Sequence, residues 1–505
     1  MTKLNNKRIL IFQQRGWGRA VGHFLAKKLQ ADGAKLAAIT LKSSTHKFVL
    51  DQSEVKYDLI INNDQLIADP KKYLGKDDYS LAEICQALGV DSIWPLISTL
   101  RLHVKSYKDK YYYGFKQNLS DEEIVDYAKA VFKCVKITFD KFNPEIIVTP
   151  NFVDLLHIMF NLYAKQHGVK MFSLTSSKIG GNYIFTHSFY EDQGPFYDRV
   201  DELNKNSKQT TNRQLAQNFI QKFRQKFKQQ DFAIEVNKKE PLKKRVRAVL
   251  SPYYHIYRWY RKKSTNYLPN IGVSVDYKPP HIILRDHYTA KRYKKFMNNF
   301  EYYPFDKIDR CIYFPLQVQP EATIDTIATY YSNQIEMIRL AAMSLPDDYT
   351  LVVKEHPGMV DARPPSYIQK IARTPNVKLV DYRIPTEDVL RKTDLIISVG
   401  GTTLFEGAFY NIPGIQLGNL GVTAKLPNVF LHSDMSTIHK KIKQVLIEKL
   451  DTQEYEQKLE NYVAAVYDTG VTVDYTSAWR KGQHGTADMD KLYVTYRGEI
   501  ERNLL

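Results

Sequence analysis

The residues best suited to chemistry fall in three short clusters. The first is Ser398-Val399-Gly400-Gly401-Thr402-Thr403, small and hydroxyl residues followed by Glu406. Paired glycines let a backbone turn tightly, and Thr402 and Thr403 would then stand beside the N–H groups of a helix that begins there. Such a start attracts anions, so the run can hold a phosphate, while Glu406 could accept from ribose or sugar hydroxyls. The second cluster is Lys354-Glu355-His356-Pro357. Lys354 and His356 could offset phosphate charge, Pro357 would hold the turn, and Glu355 could pair with Lys354 or approach a substrate. The third comprises Gln317, Gln319 and Glu321. Each has an ordinary structural reading alone, since a Gly-Gly-Thr-Thr run fits any strand-to-helix connection and a histidine at a strand end is commonly a hydrogen-bonded structural group. Their coincidence points to a site.

The elements that would position them alternate between two periods. Cys311–Leu316, Tyr349–Val353, Val377–Val380, Leu395–Ile397 and Gly414–Leu417 are short apolar runs that read as strands. Between them come a long helical pattern over Thr323–Met343, a helix around Tyr367–Ala372, one opened by Pro385-Thr386, and one ended by Asn411, Ile412 and Pro413. Five strands alternating with helices make a parallel sheet, which binds ligands at the carboxyl ends of its strands. All three clusters fall at such ends.

The N-terminal half predicts a second unit of the same kind. Lys7–Phe12 is a strand, followed by Gln13 to Arg19 and a helix carrying Val21, Phe24, Leu25 and Leu29. Gly16, Gly18 and Gly22 nearly match the dinucleotide fingerprint, but the last spacing is one residue too long, so a nicotinamide site is rejected. Leu36–Thr40, Leu59–Asn62, Glu145–Thr149 and Met171–Leu174 continue as strands, and Gln65–Asp140 reads as an insertion with a helix over Asp121–Thr138. Arg15, Gly16, Trp17, Ser177 and Lys178 then stand at strand ends on an acceptor or leaving-group side. Asp154 is the candidate base there, and equally a residue opening a helix.

From Tyr313 to Gly418 the chain resembles the bacterial capsule and surface-polysaccharide biosynthesis glycosyltransferases, through Phe314–Ile324 (FPLQVQPEATI), Val352–Met359 (VVKEHPGM) and Ser398–Ile415 (SVGGTTLFEGAFYNIPGI). The resemblance implies an α/β fold of two facing Rossmann-like domains, the GT-B architecture, with a nucleotide-sugar donor as substrate, a glycan or lipid-linked acceptor, and no cofactor. It assigns the donor phosphate to His356, Ser398, Thr402 and Thr403; from their places at the strand ends, Gln317, Glu321, Lys354, Gly400, Gly401 and Glu406 are expected around the donor, and Asp154, His356 and Glu355 are the catalytic candidates. One departure stands out. Many retaining enzymes of this fold carry two glutamates eight positions apart; Glu406 fits the second place, but Ser398 occupies the first. The stereochemical course therefore does not carry over. A nucleotide-sugar epimerase, a polymer glycerophosphotransferase or a non-catalytic sugar-binding scaffold on the same fold are the alternatives.

Length and composition fit two cores. The 505 residues divide into an N-terminal domain over 1–200, a basic linker or membrane-contact region over 201–270, a nucleotide-sugar domain over 271–450, and C-terminal helices and tail over 451–505. Cys85, Cys134 and Cys311 are widely spaced, suggesting buried packing rather than a disulfide framework or zinc site. No apolar window approaches the roughly twenty residues needed to span a bilayer, so the expected location is the cytoplasm or the inner face of the plasma membrane. The net charge of +17 concentrates around Arg213–Lys228, Lys238–Arg247 and Tyr253–Lys263, where basic residues interleave with aromatic ones. That pattern suits an anionic membrane surface or a solvated linker face better than nucleic acid. Metal is not expected: Asp488-Met489-Asp490 matches an Asp-x-Asp pattern but lies in the tail, where Tyr475–Gly485, with Trp479, Arg480 and His484, reads as a flap or surface loop.

Overall fold

The computed structural model describes residues 4–99, 120–206, 210–226, 242–261, 279–319, 321–475, 477–478 and 487–504. Much of the predicted basic stretch, including Lys228, Lys238, Lys239, Lys262 and Lys263, lies outside the described residues, as do Trp479, Arg480 and His484. What is described is α/β, with two sheets.

In the N-terminal lobe, β1 (Arg8–Gln14), β2 (Lys35–Leu41), β3 (Leu59–Asn62), β4 (Ile146–Val148) and β5 (Lys170–Ser176) run parallel in the order β3-β2-β1-β4-β5. β1 carries the unbroken run Ile9 to Phe12, all fully buried, because helices cover both faces of the sheet. β6 (Asn182–Thr186) adds to β5 in the antiparallel sense. The chain after β1 is helical from Arg15 through Ala31, with a π turn over Gly18–Gly22. Its glycines serve close packing: a Cβ on Gly18 would lie 2.6 Å from the Gln13 backbone, and one on Gly22 2.2 Å from Gln13 Oε1. The insertion after β3 contributes the helices Leu81–Leu88, Trp94–Ile97 and Asp121–Lys141, the last opened by a capping box between Ser120 and Glu123.

The C-terminal lobe holds β7 (Cys311–Pro315), β8 (Thr350–Lys354), β9 (Val377–Val380), β10 (Thr393–Ser398), β11 (Gly414–Leu417) and β12 (Val429–His432). All are parallel, in the order β12-β11-β10-β7-β8-β9. This is the doubly wound order, which reverses direction between β7 and β10 and leaves a crevice at their carboxyl ends. The helix expected over Thr323–Met343 is broken. A π turn at Thr323–Ile327 and a 3-10 turn at Thr329–Tyr331 precede Gln334–Ala342, whose start is fixed by Asn333 accepting from the Glu336 N–H.

The carboxyl edges of the two sheets face each other. Thr326, after β7, donates to the carbonyl of Val153, after β4, at 3.3 Å, and the Gly421 N–H, after β11, donates to the carbonyl of Tyr190, after β6, at 2.8 Å. Lys425 pairs with Asp201 at 2.7 Å. The helix Gln453–Thr469 packs against Pro195–Asn206 of the first lobe while Tyr455 and Tyr462 donate to carbonyls of Ala408 and Val422 in the second. After Gly470, β13 (Val471–Thr472) joins β6 as the last strand of the N-terminal sheet, and Ala487–Leu504 covers that lobe's other core. Asp490 on this helix lies 3.6 Å from Lys28, and Asp488 accepts from the Asp474 N–H.

Candidate functional site

Two strand ends meet at the reversal of the C-terminal sheet. From β10 the chain turns through Ser398, Val399, Gly400 and Gly401 into the helix Thr402–Ala408. Gly401 has φ +98°, a left-handed conformation that favours glycine, and an added Cβ would lie 2.9 Å from Gln317 Oε1. From β7 comes Gln317, whose side-chain N–H donates to Ser398 Oγ at 3.2 Å. Gln334 pins the Gln317 backbone from both sides, accepting from its N–H at 2.7 Å and donating to its carbonyl at 3.3 Å. Gln317, Gly400, Gly401, Thr402 and Thr403 thus come together as expected from the sequence. Ser398 takes a different part: it is fully buried and its hydroxyl donates to the Gly400 carbonyl at 2.7 Å, so it builds the turn instead of facing a phosphate.

The third strand end is β8. His356 Nδ1 accepts from the Gly358 N–H at 3.1 Å, which leaves the ring proton of a neutral imidazole on Nε2 as a donor. Burial, with the charges of Arg363 and Lys354, lowers its pKa to about 4. It is therefore neutral at physiological pH.

Its neighbours correct the sequence reading. Glu355 is fully buried and pairs with Arg363 at 2.6 Å, not with Lys354; burial raises its carboxyl despite that partner. Arg363 also donates to the Gln317 carbonyl and stacks over Tyr367, so it locks the β7 and β8 loops together. Lys354 is buried too. Its ammonium donates to the Ile384 carbonyl at 2.9 Å and to Thr386 Oγ1 at 3.1 Å, tying β8 to the start of the helix Thr386–Arg391 instead of meeting a phosphate. Glu321 is exposed on the loop after β7.

Glu406 is 6% exposed and does not stand open to a ribose. Burial raises its carboxyl from 4.5 to about 8, partly offset by the charge of Lys354, whose own amine burial lowers to about 8. Between pH about 5 and 8 the folded protein thus keeps a proton on Glu406 that the unfolded chain releases, and stability should fall as pH rises through that window. Lys354 acts only above it. Thermal unfolding midpoints of Glu406→Gln, compared with the parent across the same range, should show that decline flattened.

On the N-terminal lobe Asp154 opens the helix Leu155–Gln166. Its carboxylate accepts from the Leu156 N–H at 3.1 Å and pairs with His157 Nδ1 at 2.7 Å, while His157 Nε2 lies 3.1 Å from Gln14 Oε1 at the end of β1. Arg15 is exposed with φ 48°, and Gly16 follows it at the helix start. Trp17 leaves the acceptor side: it is buried, and its indole N–H donates to Tyr475 at 2.6 Å. Ser177 is likewise buried, donating to the Asn182 carbonyl at 2.9 Å within its own turn. Lys178 has φ 71° and stands close enough to Glu191 for its charge to lower that carboxyl.

Glu191 is a residue the sequence did not single out. It sits with φ 54° in the loop after β6, Thr175 donates to its carboxylate at 3.2 Å, and Glu321 of the other lobe acts on it electrostatically. Burial is the main cause that raises its carboxyl. In sequence it is one acid in the polar loop Tyr190-Glu191-Asp192-Gln193, with no signal that Thr175 and Tyr197 enclose it. Arg363 was missed for the same reason, since a charged residue between Asp361 and two prolines reads as surface.

No family model matches the chain, and no curated protein matches it. Among solved structures it is similar to a beta Kdo 2,4 transferase, KpsC, of Thermosulfurimonas dismutans, at 13% identity over 70% of this chain and 88% of that one, with a TM-score of 0.34. It is also similar to a glycosyltransferase from Rickettsia africae, at 11% identity over 99% of both chains and a TM-score of 0.26. A third is UDP-GlcNAc 2-epimerase from Neisseria meningitidis bound to UDP-GlcNAc, at 13% identity over 90% of this chain and 94% of that one, with a TM-score of 0.23.

Proposed function

We propose that this chain is a glycosyltransferase that moves a sugar from a nucleotide-activated donor to a surface or capsular glycan acceptor. The observation that carries the reading is the reversal of strand order between β7 and β10, where Gln317 meets the Gly400–Thr403 turn beside the end of the adjoining β8, which bears His356. A doubly wound sheet binds nucleotides at such a reversal, with the phosphates against backbone N–H groups. His356 contributes a neutral Nε2–H donor, and Thr402 and Thr403 contribute hydroxyls. The sequence likeness over Tyr313–Gly418 supports the same chemistry. On the opposite lobe the acceptor hydroxyl needs a base. Asp154 already caps a helix, whereas Glu191, held by Thr175 in the loop after β6 and raised by burial, is the better placed carboxyl to accept a proton. Closure of the lobes would exclude water and align the reactants.

A thermal-shift screen over nucleoside mono- and diphosphates tests the donor reading. One nucleotide at a hundredfold excess over its Kd should stabilise the fold by about 2.7 kcal/mol. A flat response to every base and phosphate count would end it.

The acceptor side includes an anionic membrane. The helix Leu242–Arg261 bears exposed Leu242, Val246, Val249, Tyr253, Tyr257 and Tyr260 at helical spacing, interleaved with exposed Lys243, Arg247, Arg258 and Arg261. Arg258 and Arg261 lie over the Tyr254 and Tyr257 rings. An apolar stripe flanked by cations is the form of a helix that lies in a bilayer interface, each cation worth about 1 kcal/mol at an anionic surface. No helix among the described residues is long and apolar enough to cross a membrane. The protein should sediment with phosphatidylserine-containing vesicles at low salt, less at high salt, and not with phosphatidylcholine alone. Absence from both pellets at low salt would remove this contact.

A further inference from the structure

A second cavity, of about 690 Å³, opens beside the donor crevice on its β8 side. One wall comes from the N-terminal lobe, where the helix Trp94–Ile97 presents Trp94, about half exposed. The other comes from the C-terminal lobe, with Tyr330 three-quarters exposed and Tyr367 buried deeper. The volume is that of a small-ligand site. It shares a wall with the donor crevice, built by one hydrogen-bonded chain: Gln334, on the cavity wall, holds the Gln317 backbone and donates to Gln319 Oε1 at 3.1 Å, and Gln319 donates to Asp325 at 2.9 Å.

The remaining lining defines the ligand class. It includes short hydroxyl and amide groups, Ser98, Ser332, Asn333 and Ser366, each able to donate and accept, set among apolar surface. Among the described residues Lys370 is the only cation lining it, so those residues bring no basic cluster of the kind a second nucleotide phosphate would require. Aromatic side chains contributed by both lobes, together with neutral two-way hydrogen-bonding groups, match a molecule with apolar ring faces and a hydroxyl rim. We propose that this cavity binds a saccharide and is the seat of the glycan acceptor, held between Trp94 and Tyr330 with one end directed along Gln319 and Gln334 toward the donor crevice. The inference rests on the glycosyltransferase reading and names the substrate class for its acceptor side. Because each lobe supplies one aromatic face, the site is complete only when the lobes come together.

The test is an array of neutral hexose- and N-acetylhexosamine-containing oligosaccharides, probed with the full chain and with the Trp94→Ala/Tyr330→Ala variant. Both side chains are largely exposed, so the variant should fold, and its nucleotide-dependent thermal shift should match the parent's. The parent should retain a subset of the saccharides and the variant should bind them about tenfold or more weakly, the scale on which interface aromatics contribute. Retention of no saccharide by the parent, or equal retention by both proteins, overturns the inference. Loss of the nucleotide shift in the parent would instead fault the donor reading, so the two failures are distinguishable.

Discussion

Replacing His356 by alanine is expected to reduce release of nucleotide from the activated donor by about a hundredfold or more, the usual cost of removing one aimed hydrogen-bond donor from a charge-developing site. The fold should lose far less. What the side chain does for the backbone is accept one N–H, from Gly358, at the start of a single 3-10 turn, and losing such a cap costs about 1 kcal/mol. Because burial, Arg363 and Lys354 hold the ring near a pKa of about 4, His356 stays neutral above that range and transfer should show no titration near the usual histidine value. Single-turnover assays of parent and His356→Ala, run beside unfolding curves, separate the two effects. Equal turnover in the variant would remove His356 from the chemistry.

Arg363→Ala should act on stability. Its partner Glu355 is fully buried, so the variant strands a carboxylate without its cation, and breaking such a pair costs about 3–5 kcal/mol. That is a large part of a typical stability of about 5–15 kcal/mol. Urea unfolding should show the midpoint falling at unchanged slope. Changing both partners to apolar residues of similar size should recover much of the loss, because neither charge then remains buried. A single variant as stable as the parent would show that the pair does not hold the β7 and β8 loops.

The central strands were legible because they are buried on both faces. β11 falls on the predicted bounds, as does β9, an edge strand with three of its four residues buried, and Ile9–Phe12, Ile312–Phe314 and Leu395–Ile397 are apolar runs with a single structural use. β12 and β13 were not legible. β12 is an edge strand with no fully buried residue, and β13 is two residues long, so neither carries a pattern. In the site the backbone features were readable, as with Gly401, whose left-handed turn is written in its glycine. Side-chain direction was not. Trp17, Ser177, Ser398 and Lys354 stand at strand ends as expected, yet each turns inward to a partner, Tyr475, Asn182, Gly400 and Ile384 respectively. Nothing local to those residues encodes which way they turn.

The first lobe of this molecule cannot finish folding when its own two hundred or so residues have left the ribosome. Its sheet lacks β13, and one face of β1, β4 and β5, which Val21, Leu25 and Leu29 cover only in part, stays incompletely covered until Met489, Leu492, Tyr496 and Ile500, all fully buried in the finished protein, have been synthesised. The nascent lobe must carry an apolar patch through the whole of the second lobe's synthesis, a period in which chaperone binding is the natural cover and premature termination after Gly470 would release an aggregation-prone chain.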